Sequence, residues 1–170
     1  MRKELLIGCG SRPVKALHVG GNSEWSNLTT LDINPDHKPT VVWDLENLPL
    51  PFPDETFDEI HAYEVLEHTG RQGDYKFFFA QFNDFWRMLK PNGYFMGSVP
   101  NYTSIWQWSD PSHTRVISIA TLTFLSQRQY EEQVGVTTMT DFRYIYHGNF
   151  EMAGAQETDH SLYFILRVIK

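Results

Sequence analysis

The sequence holds one cysteine, Cys9, among 170 residues, and a single thiol excludes an internal disulfide. That fits a reducing compartment. Cys9 is expected to act as a compact residue where a side chain must be small, not as a reactive thiol. Long apolar runs are missing too, since nothing approaches the roughly 18 uninterrupted apolar residues of a membrane span. Leu6-Ile7-Gly8-Cys9 has the look of a lipoprotein export signal. However, its apolar part is only Leu5 to Ile7, preceded by Glu4, against the roughly 7–15 apolar residues that a signal peptide needs. A soluble, cytoplasmic protein is the expectation. Basic charge is also scarce, with 14 Lys and Arg against 21 Asp and Glu and a net charge of −7. No general attraction to nucleic acid or to an anionic membrane follows from that balance.

What is present fits one domain over residues 1–170 with a single core. Aromatic residues are abundant at 15%, and the longest cluster of them has helical spacing. Between Tyr75 and Lys90, the positions Phe78, Phe79, Phe82, Phe85, Trp86 and Leu89 recur at intervals of three and four, which predicts an amphipathic helix over a sheet, ended by Pro91-Asn92-Gly93. Strands are predicted at Leu5 to Ile7, Leu28 to Ile33, Thr40 to Trp43, Phe57 to Ala62, Tyr94 to Val99, Asp141 to His147 and Ser161 to Ile169. The last two, with only Gly148 to His160 between them, read as an antiparallel hairpin. Residues 13–30 lack a helical apolar stripe, so the first crossover is short or irregular. Ser118 is a plausible N-cap for a helix running to about Tyr130. Residues 101–117 form a connection too long to be bare, carrying Tyr102, Trp106, Trp108, His113 and Arg115. This is expected to be a substrate-side loop or lid, in which Trp106 and Trp108 alternate as they would on a strand.

Ligands of open parallel sheets bind outside the carboxyl ends of the strands. Here those ends supply Gly8-Cys9-Gly10, Asp32, Asp44 and the run Tyr63 to His68. Glycines let backbone approach a ligand, and a carboxylate past a neighbouring strand can accept hydrogen bonds from a ribose diol. Together they describe a nucleoside site. The dinucleotide fingerprint G-x-G-x-x-G would need a third glycine where this chain has Pro13, and no convincing helix follows to receive a pyrophosphate. A cofactor without phosphates fits better, and an acidic surround tolerates a cationic sulfonium.

At this point the residues resemble the class I S-adenosylmethionine-dependent methyltransferases. The likeness runs from Leu5 to about Pro100, through Ile7-Gly8-Cys9-Gly10-Ser11-Arg12-Pro13, Leu31-Asp32-Ile33 and Trp43-Asp44-Leu45. It continues through Leu50-Pro51-Phe52-Pro53-Asp54, Phe57-Asp58, Val65-Leu66-Glu67-His68 and Leu89-Lys90-Pro91-Asn92-Gly93, with a weaker echo at Asp110-Pro111-Ser112-His113. The resemblance implies an α/β, Rossmann-like three-layer sandwich with a mostly parallel seven-stranded sheet of order 3-2-1-4-5-7-6, strand 7 antiparallel, and a shortened first crossover. It implies that Gly8, Cys9, Gly10 and Ser11 flank the methionine part of S-adenosylmethionine, Asp32 and Ile33 meet the ribose, and Asp44 and Leu45 contact adenine. Tyr63, Glu64 and His68 would then lie beside the sulfonium and the acceptor.

Methyl transfer needs a base only when the acceptor must lose a proton, and His68 and His113 are the candidates. Glu64, Glu67 and His68 lack the paired histidines of helical zinc sites, so no metal is expected. The reading is methyl transfer, with S-adenosylhomocysteine as coproduct, to a small-molecule or glycan-like acceptor. Its rivals are a non-catalytic binding or regulatory module on the same fold and a nicotinamide-dependent reductase, the latter opposed by Pro13.

Overall fold

The computed structural model describes residues 1–170. Its strands are β1 (Lys3–Ile7), β2 (Asn27–Asp32), β3 (Val41–Val42), β4 (Phe57–Tyr63), β5 (Leu89–Pro100), β6 (Phe150–Glu157) and β7 (Ser161–Val168). They form one sheet of order β3-β2-β1-β4-β5-β7-β6. The first five run parallel, while β7 is antiparallel to both β5 and β6. This is the predicted order and sense. Helix α1 (Tyr75–Met88) lies in the β4–β5 crossover, and α2 (Ile105–Ser109), α3 (Ile119–Thr123) and α4 (Gln127–Gln133) fall between β5 and β6.

Alternation along the strands decides which face each side chain joins. Leu5, Ile7, Ile60, Ala62, Phe95, Val99, Phe164 and Leu166 enter one buried apolar cluster with Phe78, Phe79, Phe82 and Phe85 of α1. Glu4, Glu59, His61 and Tyr63 alternate with them and face the other way, beneath residues 13–26. That irregular segment supplies the layer a crossover helix would otherwise fill, and it is held by polar bonds. The Lys15 ammonium lies 2.6 Å from Glu4 and 3.0 Å from Glu59. Asn22 and the Ser26 N–H also donate to Glu4, Arg2 pairs with Glu59, and Trp25 sets its ring edge-on to His61 at 4.8 Å. The Leu17 N–H donates to the Tyr63 hydroxyl, which lies 2.7 Å from His61 Nδ1, while His61 Nε2 faces Glu59 at 3.1 Å. Such a chain is satisfied when Tyr63 donates to Nδ1 and Nε2–H donates to Glu59.

Four elements differ from expectation. Helix α1 stops at Met88 and passes straight into β5, where Pro91-Asn92-Gly93 sits inside the strand at a register shift against β4. The helix expected from Ser118 to Tyr130 is two, because Ser126 caps a new one by accepting the Gln129 N–H. Asp141 to His147 is not a strand. Asp141 accepts the Arg143 N–H, and the Ile145 and Tyr146 N–H groups both donate to the Phe142 carbonyl, so the backbone turns. Phe142 and Tyr146 face the core four residues apart while Tyr144 is exposed; the spacing that mimicked alternation was that of a helical turn. The sixth strand is instead Phe150–Glu157, a polar edge strand with little apolar signal. Finally, Trp106 and Trp108 stand on the short helix α2 and are exposed rather than alternating on a strand.

Candidate active site

The carboxyl ends of β1, β2 and β3 open on one cavity of about 470 Å³. Gly8, Gly10, Asp32, Ile33, Asp44, Leu45 and His68 line it together with Leu31, His37, Trp43, Glu46, Val65 and Thr69. Gly8 has φ of 62°, and a Cβ there would stand 2.4 Å from Val65, so both backbone conformation and space demand glycine. Gly10 has φ of 55° with no atom within 4 Å of a Cβ position, which leaves space beside it.

Asp32 is 7% exposed and takes one N–H on each oxygen, from Gly10 at 2.9 Å and from Asn34 at 2.8 Å, with His37 at 3.3 Å. Burial would raise its pKa, but the Asn34 and Gly10 amides and His37 outweigh that and hold the carboxyl below its ordinary value. It is therefore an anion with lone pairs to spare for hydroxyl donors. Asp44 accepts the Glu46 N–H and Trp43 donates to the Asn47 carbonyl, so the Trp43 to Asn47 turn is braced from inside. Glu46 in turn receives the Gly70 N–H, joining that turn to the far wall.

The remaining predicted residues stand elsewhere. Cys9 is buried behind the loop, its N–H donating to the Leu31 carbonyl, and burial followed by the Asp32 charge pushes its thiol up. Ser11 is exposed at the start of the segment that leads away. Tyr63 points to the opposite face of the sheet, where burial pushes its hydroxyl up to about 12. Glu64 is exposed, with φ of 49° and its N–H donating to the Ser98 carbonyl.

His113 lines a second, larger cavity of about 940 Å³, whose walls include Gln72, Tyr102, Gln107, Trp108, Ile119 and Glu157. The two predicted histidines nevertheless meet. The His68 and His113 rings lie edge to face at 4.7 Å, one lining each cavity. Backbone pairing brings them together, because the Glu67 carbonyl accepts the Thr114 and Arg115 N–H groups at 2.9 and 3.2 Å. Glu67 itself is 1% exposed, and neither of its carboxylate oxygens has a hydrogen-bond partner. Burial, with the Glu64 and Asp110 charges added, pushes its pKa up to about 8. The sequence pattern placed Glu67 in a motif without revealing this burial. Trp43, Val65 and Thr69 were adjacent to predicted residues, and adjacency was the only signal they offered.

Residues 5–97 match the family described as "Methyltransferase domain". A protein of Mycolicibacterium smegmatis named a probable S-adenosylmethionine-dependent methyltransferase is 34% identical over 95 residues, which is 51% of this chain and 34% of that protein. The match thus takes in about a third of the curated relative's length. A crystal structure of a SAM-dependent methyltransferase from Archaeoglobus fulgidus superposes with a TM-score of 0.61 at 18% identity, covering 98% of this chain and 86% of that one. The N-methyltransferase NodS from Bradyrhizobium japonicum WM9, solved with S-adenosyl-L-homocysteine, gives 0.59 at 15% identity, covering 99% and 79%. These two likenesses are of fold.

Proposed function

We propose a function from the fact that this chain belongs to the methyltransferase-domain family: it is an S-adenosylmethionine-dependent methyltransferase, and its acceptor is a small molecule or a glycan-like compound. The observation that carries this reading is the convergence of Gly8, Gly10, Asp32, Ile33, Asp44 and Leu45 on one cavity, with His68 at its far wall. When bound, S-adenosylmethionine supplies a methyl group already activated on a sulfonium, ready for in-line displacement. Asp32 receives the ribose hydroxyls on its free lone pairs, and the space beside Gly10 admits the amino-acid end. The braced turn at Asp44 and Leu45 meets the adenine, with Trp43 closing one side. Cys9 serves from behind as a compact support.

The acceptor belongs in the larger cavity beside it. Tyr102 and Trp108 give that cavity an aromatic wall, suited to a ring or the apolar face of a sugar, while Gln72, Gln107 and Glu157 offer polar partners. Residues 101–117 contribute most of that wall, which supports their reading as the substrate-side loop. Orientation across the two cavities supplies much of the rate in such a reaction. His68 and His113 stand at the junction, within reach of a proton on an acceptor.

Thermal unfolding with S-adenosylhomocysteine and, separately, with NAD tests the cofactor. A ligand at about 100 times its dissociation constant stabilises by about 2.7 kcal/mol, and that gain is expected with S-adenosylhomocysteine alone. Stabilisation by NAD and not by S-adenosylhomocysteine overturns the reading. Mass spectrometry of a panel of hydroxyl- and amine-bearing small molecules and glycans then tests transfer; a protein that binds the cofactor but methylates none of them is a binding module instead.

A further inference from the structure

We propose that Glu67, His68 and His113 form a binding site for one first-row divalent metal ion at the junction of the two cavities. Each residue brings one ligand atom, and these atoms all lie within 4.8 Å of one another. His68 Nε2 is 3.8 Å from Glu67 Oε1. An ion with ligand distances of about 2.0–2.2 Å would draw such a set together by small side-chain rotations.

Two independent features favour an ion over a plain polar cluster. The first is the state of the imidazoles. His68 Nδ1 faces the Ser112 carbonyl at 3.3 Å and the Ser112 hydroxyl at 3.1 Å, and His113 Nδ1 faces the Gln107 carbonyl at 3.2 Å. A ring nitrogen set against a carbonyl carries the proton, which turns the Nε2 lone pair of each ring toward a carboxyl group, Glu67 for His68 and Asp110 for His113, each at 3.8 Å. Histidines that hold metals are oriented in this way, with the outer N–H given to a carbonyl. The second is Glu67. Its carboxyl group is buried with both oxygens unpartnered, and it stands against the two imidazoles. A buried polar group without a partner is costly, and a cation held by the two histidines would give both oxygens one.

Two imidazoles and one carboxylate make a mixed nitrogen and oxygen set with positions left open, which suits Zn²⁺ or a neighbouring first-row dication. The three residues stand where the two cavities meet, His68 lining one and His113 the other. A consequence rests on the methyl-transfer reading: the ion would take an acceptor hydroxyl oxygen as a further ligand and lower its pKa, the proton leaving to solvent. The acceptor class is then a hydroxyl compound, and the histidines act as ligands and not as free bases.

The test uses EDTA-treated full-length protein, without cofactor or acceptor. Calorimetry with ZnCl₂ and visible absorption with CoCl₂ are expected to report one ion per chain. Glu67→Gln and His113→Ala are each expected to weaken that binding by at least about tenfold, as losing a ligand does, with circular dichroism confirming that both variants are folded. Binding that is undetectable, or that survives unchanged in both folded variants and so belongs to exposed residues such as His18, His147 or His160, overturns the site. S-adenosylhomocysteine binding is measured in parallel. Zn²⁺ binding lost with the mutations but no S-adenosylhomocysteine binding keeps the metal site and removes the cofactor reading; the reverse removes the site alone.

Discussion

Asp32 shows how much one side chain can be asked to do. It fixes the Gly10 and Asn34 amides while keeping lone pairs turned to the cavity. Charge-assisted hydrogen bonds are worth about 1.5–3 kcal/mol, so Asp32→Ala is expected to weaken S-adenosylhomocysteine binding by about tenfold or more; an unchanged affinity in calorimetry would remove Asp32 from the cofactor site. Gly8 is constrained in a different way, by a left-handed backbone and by Val65 at 2.4 Å from any added Cβ. Gly8→Ala combines strain of about 1–3 kcal/mol with that overlap, so both a lower urea midpoint and weaker S-adenosylhomocysteine binding are expected. Retention of both would show that the loop can relax. The placement of these two residues on one cavity was legible in the sequence because it depends on residue type at a strand end. Glu67 was not, since nothing in Val65-Leu66-Glu67-His68 tells a solvated carboxyl group from one sealed beneath a loop that pairs with it 47 residues later.

Among the elements, the irregular crossover of residues 13–26 is the most dependent on polar contacts. The Lys15 side chain is 2% exposed and stands between two buried carboxylates. Lys15→Met keeps the aliphatic stem but leaves Glu4 and Glu59 facing each other, and breaking a buried pair in this way costs about 3–5 kcal/mol. Arg2, Asn22 and the Ser26 amide soften the loss, so a destabilisation of about 3 kcal/mol in urea unfolding is expected. A change near zero would mean that residues 13–26 are held by packing alone. The sequence announced that this segment is no helix, yet could not show what replaced one. Glu4, Glu59 and His61 sit at alternating positions that read as solvent-facing, and only the segment lying over them makes them interior. The hairpin was misplaced for a related reason: Phe142, Tyr144 and Tyr146 carry a strong apolar signal in a turn, while the true edge strand, Phe150–Glu157, carries almost none.

For the whole molecule, that same buried network couples stability to pH. Burial would raise Glu59, but hydrogen bonds from His61 and Lys15 hold it at about 2, against an ordinary 4.5. Its folded value lies below the unfolded one, so the stabilisation is complete above about 4.5 and disappears as pH falls toward 2. His61, which burial keeps below its ordinary 6.5, acts in the same direction: unfolding lets it take a proton that the fold refuses. The gap in urea midpoint between wild type and Glu59→Gln is therefore expected to narrow on acidification through the 4.5-to-2 interval. A gap independent of pH would exclude this linkage. The strand order and the cavity at the ends of β1, β2 and β3 were readable from motifs in register, whereas the second cavity was not, because its walls include α2, α3 and β6 and meet only in the folded chain. The loop that builds that cavity is moored at both ends. Asn101 is tied to the carbonyls of Thr158 and His160, and Thr114 is clasped between Glu67 and Gln72. The stretch from Tyr102 to Ser112 hangs between those two ties. Exchanging it for a sequence of other polarity is expected to change what the second cavity admits and also to free both histidines, because Ser112 holds His68 and Gln107 holds His113.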